Sequence, residues 1–214
     1  MTVGTILSSI PSPSGAPTGL AWDGRTLWAC ITDPPNNRLS QVDPLTGAEI
    51  RSISSPAERP RGLTWDGKTL WSADIKAQTI NQSDPVTGAV LRSFPTPGSA
   101  PAGIGWDGRT IWTNNWTVPA QIYQMDPATG RIMRSFASPT KWPRDMAWDG
   151  RTFWYTDPQN FPSGKIYQMN PVTGTIIQSF PSPTGNNPLG LAWDGRALWC
   201  TDLNTDTIYQ ISVN

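Results

Sequence analysis

A chain of 214 residues carries 16 basic and 16 acidic side chains, so its formal charge is zero. That balance argues against a nucleic-acid or anionic-membrane partner, which needs a basic excess, and no apolar run nears the length that spans a bilayer. Having no histidine removes the commonest general base and the commonest transition-metal ligand, while 12 Trp, 19 Gly and 22 Pro make an aromatic, turn-rich composition.

Taken in chain order, residues 4–13 read GTILSSIPSP, a lone extended stretch. A phrase then begins that recurs four more times: GLAWDGRTLW at Gly19–Trp28, GLTWDGKTLW at Gly62–Trp71, GIGWDGRTIW at Gly103–Trp112, DMAWDGRTFW at Asp145–Trp154 and GLAWDGRALW at Gly190–Trp199. The first tryptophans of these units (Trp22, Trp65, Trp106, Trp148, Trp193) are 43, 41, 42 and 45 residues apart, a spacing that signals a repeat architecture. Each unit predicts four short strands. Strand a is the GLAW piece, and an Asp-Gly pair, read as a type I′ turn, leads into strand b. A variable loop leads to strand c, as in QIYQM at Gln121–Met125. A DPxTG turn such as Asp126–Gly130 gives strand d, as in RIMRSF at Arg131–Phe136. A Pro-rich link then returns to the next strand a.

Four antiparallel strands repeated around an axis describe a β-propeller. The first ten residues of the opening stretch match GTIIQSFPSP at Gly174–Pro183, a strand d, while the C-terminal TIYQISVN is a strand c with none after it. The expected fold is therefore an all-β, five-bladed propeller over residues 1–214, closed by strand 2–10 completing blade five. The blades fall at about 17–54, 60–95, 101–137, 143–181 and 188–214. The ten repeat tryptophans are expected to fill the wedges between blades, so Trp65→Ala should cost ~3–5 kcal/mol. Cys30 and Cys200 follow their repeat tryptophans at different offsets, which points them to opposite sides of their blades and predicts free thiols.

The repeats resemble the short-blade bacterial propellers of the YVTN and NHL type, a likeness that covers all five units. Blade three, Ile111–Ile132, also resembles one blade of the plant-type glutaminyl cyclases, themselves five-bladed. That family's chemistry implies a glutamate near the end of an inner strand over the central channel. Neither glutamate of this chain matches: Glu49 falls at an outer c–d turn and Glu58 in a loop. The cyclase activity is not carried over.

Internal comparison of the five units separates scaffold from site. The recurrent Gln41, Gln82, Gln124, Gln168 and Gln210 read as a structural ladder. Asp74, Asp157 and Asp202 stand three residues after the strand-b Trp, with Asn115 at the matching place in unit three. They read either as Asx caps of the b–c turns or as a carboxylate ring for a hard cation. Features that break the pattern sit in b–c and d–a loops, which share one face at the channel mouth. Trp116 and Trp142 are the two tryptophans outside the repeat, with Asn114 and Asn115 beside the first, and they read either as rings that stack a sugar face or hold a peptide side chain, or as rings that pack on each other and on Pro119 and Pro143. The residue after each loop proline varies: Thr18, Arg61, Ala102, Arg144, Leu189. Asp145 replaces the glycine of the other units, and the longest b–c loop, Asp157–Gly164, carries Phe161. Arg61 and Arg144 suit an anionic group, or alternatively form surface pairs with Glu58 and Asp145.

The expected site is thus Trp116, Trp142, Arg61, Arg144, Asp145 and Asn115. The expected activity is non-enzymatic binding of a small saccharide or peptide, lectin-like, by a monomer without cofactor. One alternative is a propeller enzyme of lyase, lactonase or glutaminyl-cyclotransferase kind with Asp145, Asp157 or Asp74 as acid/base. The other is a bare repeat scaffold with no evolved ligand. The opening MTVGTILSSI lacks a basic n-region and a long apolar core, as in a cytoplasmic protein. A cleaved upstream signal would instead place the protein outside the cell or in a periplasm.

Overall fold

The computed structural model describes residues 2–15, 17–158, 164–183, 185 and 187–213. An opening strand β1 (Ile6–Pro11) is followed by five sets. Blade one holds β2 (Pro17–Trp22), β3 (Leu27–Ile31), β4 (Arg38–Val42) and β5 (Glu49–Ser54). Blade two holds β6 (Pro60–Trp65), β7 (Leu70–Asp74), β8 (Thr79–Ser83) and β9 (Val90–Pro95). Blade three holds β10 (Pro101–Trp106), β11 (Ile111–Asn115), β12 (Gln121–Met125) and β13 (Ile132–Ala137). Blade four holds β14 (Met146–Trp148), β15 (Phe153–Asp157), β16 (Lys165–Met169) and β17 (Ile176–Pro181). Blade five holds β18 (Pro188–Trp193), β19 (Leu198–Asp202) and β20 (Thr207–Ile211), and β1 pairs antiparallel with β20 to complete its sheet. The expected five-bladed ring, closed by the N-terminal strand, is the one observed.

The Asp-Gly turns differ from expectation. Only the glycine takes a positive φ (98° at Gly24), so the link is not type I′. Asp23 instead opens a four-residue loop, accepting the backbone N–H groups of Arg25 and Thr26 on Oδ1 at 2.9 and 2.6 Å. Its Oδ2 accepts the Thr26 hydroxyl and the Trp28 indole N–H at 2.6 and 3.0 Å. Asp66, Asp107 and Asp149 repeat this set, and Asp194 repeats it without the hydroxyl, since Ala197 stands where the others have Thr. The Gln of strand c reaches the same turn, as Gln41 Nε2 does to the Thr26 hydroxyl at 2.8 Å. Burial pushes the carboxyls of Asp23, Asp66, Asp107 and Asp149 up, but these hydrogen bonds outweigh it and hold them below the usual range.

The two tryptophan sets also part company. Trp28, Trp71, Trp112, Trp154 and Trp199 are buried, each against the next blade: Trp71 lies among Ile104, Ile111 and Met125, and Trp199 among Leu20, Leu27 and Ala29. The other set (Trp22, Trp65, Trp106, Trp148, Trp193) is only half-buried. All five line the channel end opposite the b–c loops, around a space of about 80 Å³. Half the repeat tryptophans therefore wedge the blades. The expectation of ten such wedges fails because strand a brings its Trp to the channel rim at the strand end.

Inner strands approach so closely that glycine is needed. A Cβ on Gly103 would lie 2.2 Å from the Arg144 carbonyl oxygen, and one on Gly19 2.5 Å from that of Arg61. Cys30 packs toward blade two and Cys200 toward blade four, and both are free and buried.

Candidate functional site

In blade four Asp145 occupies the glycine position, and the inner strand β14 is cut to three residues. The side chain turns into the axis rather than out to solvent. Oδ2 accepts the N–H of Leu20 at 2.9 Å and of Leu191 at 3.1 Å, and Oδ1 that of Ile104 at 3.3 Å. One carboxyl thus ties the inner edges of blades one, three and five across the channel. These N–H groups belong to edge strands and would otherwise face the channel unpaired. The residue is 1% exposed, and full burial pushes its carboxyl well above the usual range, against the backbone donors that pull it down. Neither the surface pair with Arg144 nor an accessible acid describes this arrangement.

Directly over it the residues that follow the loop prolines converge. Thr18, Arg61, Ala102, Arg144 and Leu189 enclose, with Asp145, a space of about 10 Å³, enough for one water-sized group. Neither Arg61 nor Arg144 joins an ion pair among the described residues. Glu58 pairs with Lys76 instead of Arg61. The Nε atoms of both arginines are buried without a hydrogen-bond partner. Burial lowers both guanidinium pKa values, that of Arg144 to about 10, and the charge of Arg61 contributes to the Arg144 shift.

Trp116 and Trp142 meet beside the arginines. Their rings stand edge to face, centroids 6.3 Å apart at 81°. The Arg144 guanidinium lies 3.8 Å from the Trp116 centroid, a contact of ~1–2 kcal/mol. The Trp116 indole N–H is buried without a partner, whereas Trp142 is 40% exposed. The backbone holds this group from several sides. Asn114 Nδ2 donates to the Arg144 carbonyl at 2.7 Å, Arg144 N–H donates to Thr156 O at 2.7 Å, and Trp142 N–H donates to Asp157 Oδ2 at 3.1 Å.

Five of the six expected residues are thus brought together. The sixth, Asn115, serves its own loop, its Oδ1 accepting the Gln121 N–H at 2.8 Å as a turn cap. Asp74 does the same work, taking the N–H groups of Lys76, Ala77 and Arg59, and Asp202 takes those of Asn204 and Thr205. This is the Asx-cap reading of the carboxylate ring. Among the described residues no three Asp, Glu, Cys or His side chains gather to hold a metal ion. Phe161 lies outside the described residues. Glu49 lies on the outer strand β5, bonded to Arg38, Ser40 and Ser52, far from the role that the cyclase likeness implies.

Sequence reasoning missed Tyr155. It is fully buried beside Thr140 under the d–a loop and stacks on Tyr167 at 5.4 Å. Its counterparts are Ala29, Ser72, Thr113 and Cys200, so a position-by-position comparison of strand b would have singled it out.

The family model for the SMP-30/gluconolactonase/LRE-like region matches residues 59–214. No curated protein sequence matches the chain. Among solved structures, the glutaminyl cyclase of Myxococcus xanthus superposes with a TM-score of 0.82 at 12% identity, over 98% of this chain and 95% of that one. A nidogen/laminin complex gives 0.65 at 18% identity, over 94% and 77%. Virginiamycin B lyase of Staphylococcus aureus, solved with quinupristin, gives 0.57 at 22% identity, over 95% and 68%. These likenesses extend the YVTN/NHL-type and cyclase-type resemblances at the level of the fold.

Proposed function

The chain belongs to the SMP-30/gluconolactonase/LRE-like family, and from that premise we propose that it is a ligand-binding propeller rather than a catalyst. Its site is the channel mouth on the b–c loop side, and its ligand is a small saccharide or peptide. The observation that carries this reading is a set of buried donors without protein partners, on Arg61, Arg144 and Trp116, gathered beside an exposed Trp142. Most buried donors in folded proteins are paired, so three unpaired ones grouped around Arg144, two of them on residues that line the enclosed space, suit a missing acceptor. The proposed protein acts as a monomer, with no nucleic-acid or membrane partner.

A second reading has one observation in its favour: a carboxyl held above its usual range lines the enclosed space, as an acid/base of a lyase, lactonase or cyclotransferase would. Against it, both oxygens of Asp145 are engaged by backbone N–H groups.

The test is a thermal-shift and tryptophan-fluorescence screen against glycans and short peptides, on the wild type and on Trp116→Ala/Trp142→Ala. A ligand that stabilises the wild type alone supports the proposal. Turnover of a bound compound would replace it with the enzymatic reading, and silence across the panel would favour a bare scaffold.

A further inference from the structure

Resting on that binding reading, we propose that the group entering the channel mouth is a carboxylate, taken between Arg61 and Arg144, with the rest of the ligand lying outside against Trp142. The enclosed space sets the size of what enters. At about 10 Å³ it admits one oxygen-sized group and excludes a sugar ring or an aromatic side chain. A flat carboxylate offers an oxygen at its tip and a second one to the side, which matches the planar fork of a guanidinium.

Charge supports the same assignment. The chain as a whole is neutral, yet two guanidinium groups converge here and share no ion pair among the described residues. Asp145, which lines the same space, turns its oxygens to Leu20, Leu191 and Ile104 instead of to the arginines. Asp74 and Asp157 act on Arg61 and Arg144 from beyond ion-pair distance, so two like charges drawn partly out of water keep no contacting counter-charge among the described residues, and a bound anion offsets both the repulsion and the lost solvation. Stacking on Trp116 fixes the plane of the Arg144 guanidinium while its Nε–H remains without an acceptor. A neutral ligand would leave these donors facing an acceptor of half the strength.

A carboxylate can come from a peptide C-terminus or from a sugar acid, and the experiment separates them. Binding is measured by calorimetry and tryptophan fluorescence in chloride-free buffer with four probes: a short peptide with a free C-terminus, the same peptide amidated, glucuronate and glucose. At least one acid is expected to bind, its neutral counterpart ~10–100-fold more weakly, and added chloride to compete. Arg61→Gln and Arg144→Gln should each weaken the acid by a similar factor without lowering the melting temperature by more than a few degrees. The free peptide binding alone, or glucuronate alone, identifies the source. Neutral and acidic members binding equally would overturn the carboxylate while leaving the ligand-binding reading intact. So would unchanged affinity in both arginine variants. Silence of all four probes, with silence in the wider screen, overturns both.

Discussion

Asp145→Asn removes one charge from the middle of the ring and nearly no volume. In the wild type the folded state keeps the Asp145 proton to higher pH than the unfolded chain does, because burial raises the carboxyl. The sign follows from that: its contribution to stability is whole below the unfolded pKa of about 3.9 and is lost as pH rises through the raised folded value. The loss runs at up to ~1.4 kcal/mol per pH unit in that window. Asparagine does not titrate, but it has one acceptor oxygen in place of two. Placed toward Leu20 and Leu191, that oxygen keeps the bonds of 2.9 and 3.1 Å and sets its amide against the Ile104 N–H, the longest of the three at 3.3 Å. At pH 4 the variant should therefore be less stable by ~1–3 kcal/mol. The gap should shrink as pH rises and then reverse. Urea melts at half-unit steps from pH 4 to 8 read this directly. Asp23, Asp66, Asp107 and Asp149 are held low, so their contributions are present above ~3.9 and lost only as pH falls. They leave the window above pH 4 to Asp145. Parallel stability curves for wild type and variant over that window would refute the raised carboxyl.

Four further outcomes are expected. Trp71→Ala, which empties a site 1% exposed between blades two and three, should cost ~3–5 kcal/mol in a denaturant melt and exceed Trp65→Ala, whose ring is half-buried at the channel rim. Gly103→Ala forces a methyl to 2.2 Å from the Arg144 carbonyl and should destabilise by ~1–3 kcal/mol or more, read as a lower melting temperature. Arg61→Met removes a desolvated charge whose Nε–H has no acceptor and should raise stability by ~1 kcal/mol, a few degrees in Tm, while weakening ligand binding. Burial raises both thiols, and each is packed in an inter-blade core, so Cys30 and Cys200 should resist a thiol reagent until the protein unfolds.

The ring was legible because its signal is repeated five times and its two ends complement one another, so a local misreading could not displace it. The Asp-Gly turn departs from type I′ for a local reason. Asp23 and Thr26 offer a side-chain network that a two-residue turn lacks, and that network depends on the Trp28 indole and on Gln41 from strand c. The two tryptophan sets recur with equal fidelity, and periodicity alone does not say which strand end reaches the rim. At the candidate site, loop position predicted that Arg61, Arg144, Trp116 and Trp142 belong to one face. It did not predict the place of Asp145, because the bonds that define it join residues 125, 41 and 46 positions away. No local pattern encodes an acceptor for three other blades. Proximity to Trp116 in the chain does not bring Asn115 a role beside it, since its side chain serves the backbone of its own loop.

The pairing of β1 with β20 has a consequence for the order of the chain itself. Ile6 lies opposite Ile211, and Gly4 N–H bonds Ser212 O at 2.9 Å, so the two ends of the described chain are neighbours. A short flexible peptide could join them, and the covalent loop could then be opened at another outer turn, such as 84–88 in blade two. The first segment of such a circular permutant would be the outer strand of that blade, and closure would pass to it from β1 with every other strand pairing unchanged. Cyclic order, rather than linear order, is what this architecture specifies, and any of its blades can serve as the one that is split.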